Sequence, residues 1–198
     1  MKNHYRLLLV SFLSSTLSLS AAEPLPEATS LPKATSLPEA TSQPEAAALQ
    51  VTLESLLFVS PSGWVDVPVA SAMRKATWRT GTGDDAAEIA FFAFGKDQGG
   101  SVSDNIQRWL DQFSESKTKG ESATVQINER AVTFVRSEGV FASGMPGGPV
   151  ISHPDYALFG VIIEMPEGNV FIKVTGPMAT VKKLEATFAE IVTKAAKS

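Results

Sequence analysis

The chain has 198 residues, of which 43% are hydrophobic and 19% are charged, and its formal net charge at pH 7 is −4. This composition is typical of a globular protein, and the acidic balance argues against nucleic acid and anionic membrane surfaces as main partners. The sequence has no cysteine, which excludes disulfides and lipid attachment at a lipobox cysteine, so the core alone must stabilise the fold.

Residues 1–22 have the pattern of a secretory signal peptide. A basic start precedes an apolar run over 7–19, which is too short to span a bilayer, and small residues at 20–22 form a cleavage site. Cleavage removes Lys2 and Arg6, so the basic count falls from 17 to 15 against 21 acidic side chains, a net charge of −6. We therefore expect an exported protein, periplasmic or extracellular, with no stable membrane insertion after signal cleavage. Retention of the segment as an anchor is the alternative.

Residues 23–48 are expected to form a linker. The hexapeptides LPEATS, LPKATS, LPEATS and QPEAAA follow one another, and their proline-rich, weakly apolar composition cannot build a core. One interpretation is a spacer that holds the folded domain away from a surface, and the other is repeat expansion without a role. A single globular domain is then expected over residues 49–198, long enough to bury a core.

The first half of this domain predicts three strands and a helix. Residues 51–59 indicate one strand, and residues 73–80 and 89–94 indicate a hairpin around a glycine and aspartate turn. A helix over 102–113 follows, and its apolar face comprises Val102, Ile106, Trp109, Leu110 and Phe113. A polar strip along its flank comprises Asn105, Arg108 and Gln112. This strip is either a solvated edge or a binding edge, because the preceding glycines and the helix N-terminus offer N–H groups to an anion.

The second half predicts four strands and a terminal helix. The strands are expected at residues 125–127, 131–138, 156–165 and 170–175, and the helix is expected to open at Gly176 and Pro177. Residues 142–155 are expected to be a long structureless loop, and such loops in compact domains are often functional. The order β-β-β-α-β-β-β-β-α predicts an α+β fold, a mainly antiparallel sheet of six to seven strands with helices packed on it as an α/β/α sandwich.

This pattern resembles the fold group of the photosystem II extrinsic protein PsbP and the Ran-binding protein Mog1, and exported bacterial proteins without an assigned role that carry such domains. The resemblance rests on residues 58–64, the helix segment 105–109 and residues 175–177 before the final helix. It implies the fold and, at most, a binding or assembly role, because this fold group hosts unrelated functions.

Catalytic and metal-binding patterns are sparse. His153 is the only histidine after residue 22, so neither a serine triad nor an ordinary zinc site is favoured. The best calcium candidate is an acidic cluster of Asp84, Asp85 and Glu88, whose spacing matches no calcium loop. Glu164 ends an apolar strand and is the candidate for carboxylate chemistry.

The sequence thus predicts an exported, non-enzymatic binding or assembly domain that contacts another envelope or extracellular protein. The alternatives are a small-molecule or metal-binding domain with a pocket near His153 and Glu164, and a carboxylate-dependent hydrolase. No cofactor, metal ligand or catalytic residue is assigned. The candidate binding residues are Asn105, Arg108, Gln112, His153, Asp155 and Glu164.

Overall fold

The structure of this protein is a computed structural model that describes residues 47–69, 71–115, 120–144 and 148–198. The predicted signal peptide, and the predicted linker apart from its last two residues, lie outside the described residues. Regular structure begins close to Leu49, whose carbonyl accepts from the Ser60 amide at 2.9 Å and whose amide donates to the Ser60 hydroxyl at 2.9 Å. In the described ranges, no helix is long and apolar enough to cross a membrane.

The described part of the chain forms ten strands and two α-helices. The strands are β1 (Gln50–Leu53), β2 (Leu56–Val59), β3 (Val65–Asp66), β4 (Ala76–Thr80), β5 (Ala87–Ala93), β6 (Phe113–Ser114), β7 (Glu121–Ile127), β8 (Arg130–Ser143), β9 (Ile151–Ile163) and β10 (Val170–Pro177). The helices are α1 (Val102–Leu110) and α2 (Met178–Lys197).

The strands pair antiparallel throughout, so the predicted α+β class with an antiparallel sheet is confirmed. One sheet of eight strands has the order β3-β4-β5-β10-β9-β8-β6, and β7 also pairs with β8. The strand count exceeds the predicted six to seven because β3 and β6 have only two residues each. A two-residue strand is too short to show the alternation from which strands are predicted.

Each face of the sheet carries one helix, as the predicted sandwich requires. Along β9 the side chains alternate, as they must in a strand. Phe159 and Val161 belong to the core that includes α2, whereas Leu158 and Ile162 belong to the core around Trp109 of α1. The central strands are therefore covered on both sides.

Two local features place α1 on its face. The Ser101 hydroxyl caps the helix by accepting from the Asp104 amide at 3.1 Å. At the other end, Trp109 lies over Gly160 of β9, where an added Cβ would come within 2.4 Å of the indole ring. The absence of a side chain at Gly160 is what allows this close approach.

Three expectations about elements were wrong. The segment 51–59, predicted as a single strand, is instead a hairpin of β1 and β2. The chain turns at Glu54, which has φ +51°, and the hairpin forms a separate two-stranded sheet. The helix ends at Leu110, and Phe113 instead pairs with Phe141 as part of β6. This pairing is reinforced by the Ala142 amide, which donates to the Gln112 carbonyl at 2.7 Å.

The third correction concerns the predicted loop at 142–155. Strand β8 continues to Ser143 and β9 begins at Ile151, so most of the described part of this segment is a β-ribbon. Its backbone groups are satisfied by pairing between the two strands. Residues 145–147, between the two strands in the sequence, lie outside the described residues.

Candidate functional site

A lysine lies inside the central strand β10 on the face that α1 covers. Lys173 is in register with Ala90 of β5 on one side and Gly160 of β9 on the other. Both neighbours are small, and Trp109 fills the space over Gly160. On the other side, Ala90 and Lys173 line an opening on the face of the sheet.

This opening is a cavity of about 200 Å³. It is bounded by β5, β8, β10 and the segments just before β4 and after α1, and its lining residues are Arg74, Glu88, Ala90, Phe92, Gln112, Phe141, Ser143, Gly144, Lys173 and Thr175. The volume is below the roughly 300–1,000 Å³ of typical small-molecule sites. The cavity therefore suits a ligand of only a few heavy atoms.

The Lys173 amine is held without a counter-charge in direct contact. Its Nζ donates to Oε1 of Gln112, and it lies 5.1 Å from the centroid of the Phe141 ring, a cation–π distance. The ion pairs of the described residues do not include Lys173. The pKa of Lys173 is lowered from 10.5 to about 8, chiefly by burial and also by the charge of Arg74, while Glu88 opposes the shift.

A second cation lines the same cavity. The Nη1 atom of Arg74 donates to Oε1 of Glu88 at 2.7 Å and to Oγ1 of Thr77 at 3.4 Å. The guanidinium also lies 5.9 Å from the centroid of the Phe92 ring. The cavity thus holds two cationic side chains and one carboxylate. Its excess positive charge favours a negatively charged ligand.

The β8–β9 ribbon supplies the outer wall, and a bulge shapes it. The pairing register shifts between Gly139 and Phe141, so that Phe141 lies opposite His153. The imidazole is 4.7 Å from the ring of Tyr156, and its Nε2 is 2.8 Å from the Ser143 hydroxyl. Bulges redirect side chains and are frequent beside functional sites. Here the bulge brings an aromatic ring over the Lys173 amine.

The structure separates the helix residues predicted to bind a ligand. Asn105 is buried, and its amide donates to the carbonyls of Gly99 at 2.9 Å and Ser101 at 2.8 Å, so it holds the turn before α1. Arg108 is exposed on α1. Gln112 lies beyond the end of the helix and contacts Lys173 in the cavity. Gln112 therefore lies apart from the other two, whereas Nδ2 of Asn105 and Nη2 of Arg108 both flank Gly100, each 3.5 Å from the position that a Cβ would take there.

The strand residues predicted to bind also lie apart. His153 and Glu164 are at opposite ends of β9, so they do not share a pocket. Asp155 is exposed at the bulge with φ +54°. Glu164 is exposed beside Arg130 on a broad depression of about 720 Å³. Carboxylate chemistry at Glu164 remains a prediction from the sequence.

The described ranges contain no group of three or more histidine, aspartate or glutamate residues arranged to hold a metal ion. Asp84 and Asp85 lie in a short 3-10 turn, Gly83–Asp85. Glu88 instead points along β5 toward Arg74, with which it forms the ion pair described above. The acidic cluster considered from the sequence is therefore divided between two surroundings.

Sequence reasoning missed the two cations of the cavity. One signal was available, because Lys173 interrupts the apolar run Val170–Val174, where a charged side chain must have a polar partner or an opening. Arg74 carries no such local signal. The pairing of β4 with β5 brings it next to Glu88, from which it is separated by 14 positions in the sequence.

The comparisons with known proteins concern the fold. No family model matches the sequence, and no curated protein matches it. The solution structure of cyanobacterial PsbP (CyanoP) from Synechocystis sp. PCC 6803 matches with a TM-score of 0.52 and 11% identity, over 79% of this chain and 95% of that chain. A crystal structure of PA94 from Pseudomonas aeruginosa, a protein of unknown function and putative regulator, matches with a TM-score of 0.39 and 12% identity, over 75% and 95% of the two chains. The chain has a PsbP-like fold, as the sequence resemblance implied.

Proposed function

We propose that this protein is an exported binding domain whose ligand is a small anion held between Lys173 and Arg74. The observation that carries the proposal is a half-buried lysine amine that lines an open cavity with no carboxylate in direct contact. A buried charge without a partner is unfavourable, and an anion of the right size supplies the missing charge.

The walls of the cavity support the same ligand class. Phe92 and Phe141 offer apolar contact, and Gln112 and Ser143 offer hydrogen bonds. A short carboxylate or a phosphate has the charge and size that this arrangement accepts. An anion next to Lys173 stabilises the protonated amine, so binding raises the lysine pKa and takes up a proton near pH 8.

Thermal unfolding with added anions tests this function. Ligands that bind the native state raise its stability according to their concentration relative to Kd. We expect L-lactate or phosphate to raise the Tm of the wild-type protein, and Lys173→Met to abolish the increase. Lys183→Met is the matched control, because Lys183 is exposed on α2. An equal Tm increase in wild type and Lys173→Met would contradict the proposal.

Export is the second part of the proposal and rests on residues 1–22. A cleaved signal peptide predicts that the secreted protein begins at Glu23, which N-terminal sequencing of material from the periplasm or the medium would show. A mature protein that still begins at Met1 would contradict cleavage.

A second candidate function is assembly with another envelope or extracellular protein. The tip of the β8–β9 ribbon carries two exposed apolar side chains, Val150 at 68% and Ile151 at 59% exposure. Exposed apolar groups at the end of a projecting ribbon favour contact with a partner. We expect a partner captured from the envelope fraction to be lost when both residues are changed to serine. It should be retained by Val125→Ser, which changes an exposed valine on β7.

A further inference from the structure

We infer that Lys173 captures small 2-oxo carboxylates as a reversible imine, with Arg74 pairing with the carboxylate of the ligand. The inference rests on the proposed function, because it names the ligand class of the same cavity. Lys173 is partly accessible, and both cations line the same small cavity. A 2-oxo carboxylate has its carbonyl carbon directly beside its carboxylate, so one short molecule presents both groups within that space.

The amine is available as a nucleophile. Only an unprotonated lysine attacks a carbonyl, and desolvated lysines are the ones proteins use for imine chemistry. With a pKa of about 8, a substantial fraction of the Lys173 side chains, on the order of half, is neutral at pH 8. A lysine of ordinary pKa would be neutral in roughly one molecule in three hundred at that pH.

The hydrogen bonding of the amine suits the same step. Its identified hydrogen-bond partner is Oε1 of Gln112, a neutral acceptor, and no carboxylate of the described residues pairs with it. A salt bridge would hold the amine in its protonated form, whereas an amide oxygen does so less strongly. Glu88 is occupied with Arg74, and this pairing keeps the guanidinium fixed at the cavity wall.

The reaction is balanced without an oxidant or reductant. The nitrogen lone pair forms a C–N bond to the carbonyl carbon, the C=O π bond breaks, and the oxygen takes the proton that the nitrogen loses. In the resulting carbinolamine the C–O bond then breaks, the hydroxyl leaves as water with the second proton of the nitrogen, and the nitrogen lone pair forms the C=N bond. Amine and ketone become imine and water, and hydrolysis reverses the step.

The remaining walls limit which 2-oxo acids are accepted. Ala90 and Phe92 border the cavity on β5, so a short alkyl group on the carbonyl carbon meets apolar surface. The cavity volume of about 200 Å³ excludes long side chains. Pyruvate is therefore a suitable probe, and L-lactate is its matched control, with the same carboxylate but a hydroxyl in place of the carbonyl.

The test is trapping with pyruvate and cyanoborohydride at pH 8, followed by peptide mapping of the full chain. We expect carboxyethylation of Lys173 to exceed the mean of the other lysines by about tenfold or more, because its amine is the more often neutral. L-Lactate should compete with this labelling, and Arg74→Gln should reduce it. The wild-type map compares lysines within one molecule, so the result does not depend on a variant that folds.

The outcomes separate the two proposals. If L-lactate raises the Tm but pyruvate labels the lysines evenly, the imine is overturned and the anion site stands. If neither L-lactate nor phosphate stabilises the protein and Lys173 is not labelled, both proposals fail. Preferential labelling of Lys173 that persists unchanged in Arg74→Gln would overturn the role of Arg74 in holding the carboxylate.

Discussion

At the scale of single residues, Lys173 makes the stability of the protein depend on pH in an unusual direction. Its folded-state pKa of about 8 lies below the ordinary lysine value of 10.5. Between these two values the unfolded chain binds more protons than the folded one, so the free energy of unfolding rises with pH. Burial of the protonated amine lowers the free energy of unfolding by its full amount below pH 8, and this destabilisation is absent above pH 10.5. The charges that face the amine are Arg74, which lowers its pKa, and Glu88, which raises it.

The variant Lys173→Met removes this dependence. We expect the free energy of unfolding of the wild type, relative to the variant, to rise by about 1–3 kcal/mol between pH 7.5 and 10.5. Denaturant titrations at several pH values in anion-free buffer measure it. Other lysines and tyrosines titrate in both proteins and cancel in the difference. Lys183→Met should show no such trend, and a flat difference for Lys173→Met would show that the amine is not buried as described.

A second residue-scale prediction concerns the contact between α1 and the sheet. In Gly160→Ala, the new Cβ would lie 2.4 Å from Cζ3 and 2.6 Å from Cε3 of Trp109, so the indole must move. Overpacking of this kind costs about 1–3 kcal/mol. Gly95→Ala is the control, because its nearest side-chain atoms are 3.9 Å away. Chemical denaturation compares the two, and similar stabilities would mean that α1 does not pack as closely as its geometry indicates.

At the scale of elements, Asn105 belongs to the start of α1 rather than to a binding edge. Its side chain donates to two carbonyls of the preceding turn. We expect Asn105→Ala to lower the free energy of unfolding by about 1–3 kcal/mol, because both acceptors lose a buried donor. Arg108→Ala, on the exposed side of the same helix, should change it by less than about 0.5 kcal/mol. Thermal unfolding measures both variants. Equal effects would contradict the role of Asn105 at the start of α1 and leave the predicted polar strip as the alternative.

The elements also show how far the sequence alone could be used. Alternation and apolar runs were sufficient to predict β5, the second half of β9, β10 and both helices. These elements cover a core, and contact with the core imposes their periodicity. The ribbon of β8 and β9 was missed because glycine, proline and polar residues in residues 142–155 hide the apolar alternation that predicts a strand, while the pairing itself is made through the backbone. The cavity was missed for another reason. Arg74, Glu88 and Lys173 are far apart in sequence, and only the register of three strands brings them together.

At the scale of the whole molecule, one sheet separates two apolar cores and joins them through the same strands. Phe159 and Leu158 are consecutive in β9 yet belong to different cores, so neither side can lose its packing without disturbing the strand that serves the other. A structure of this kind should unfold in one cooperative transition.

This coupling predicts the behaviour of two core variants on opposite faces. Trp109→Ala removes the centre of the α1 side, and Phe188→Ala removes a fully buried ring from the α2 side. Each should cost about 3–5 kcal/mol, because a large cavity replaces an aromatic side chain. Both should shift one denaturation midpoint without changing the slope m, since the surface exposed on unfolding is the same. Tryptophan fluorescence and far-UV circular dichroism should give coincident curves in Phe188→Ala. Separate transitions would show that each helix and its core unfold independently of the shared sheet.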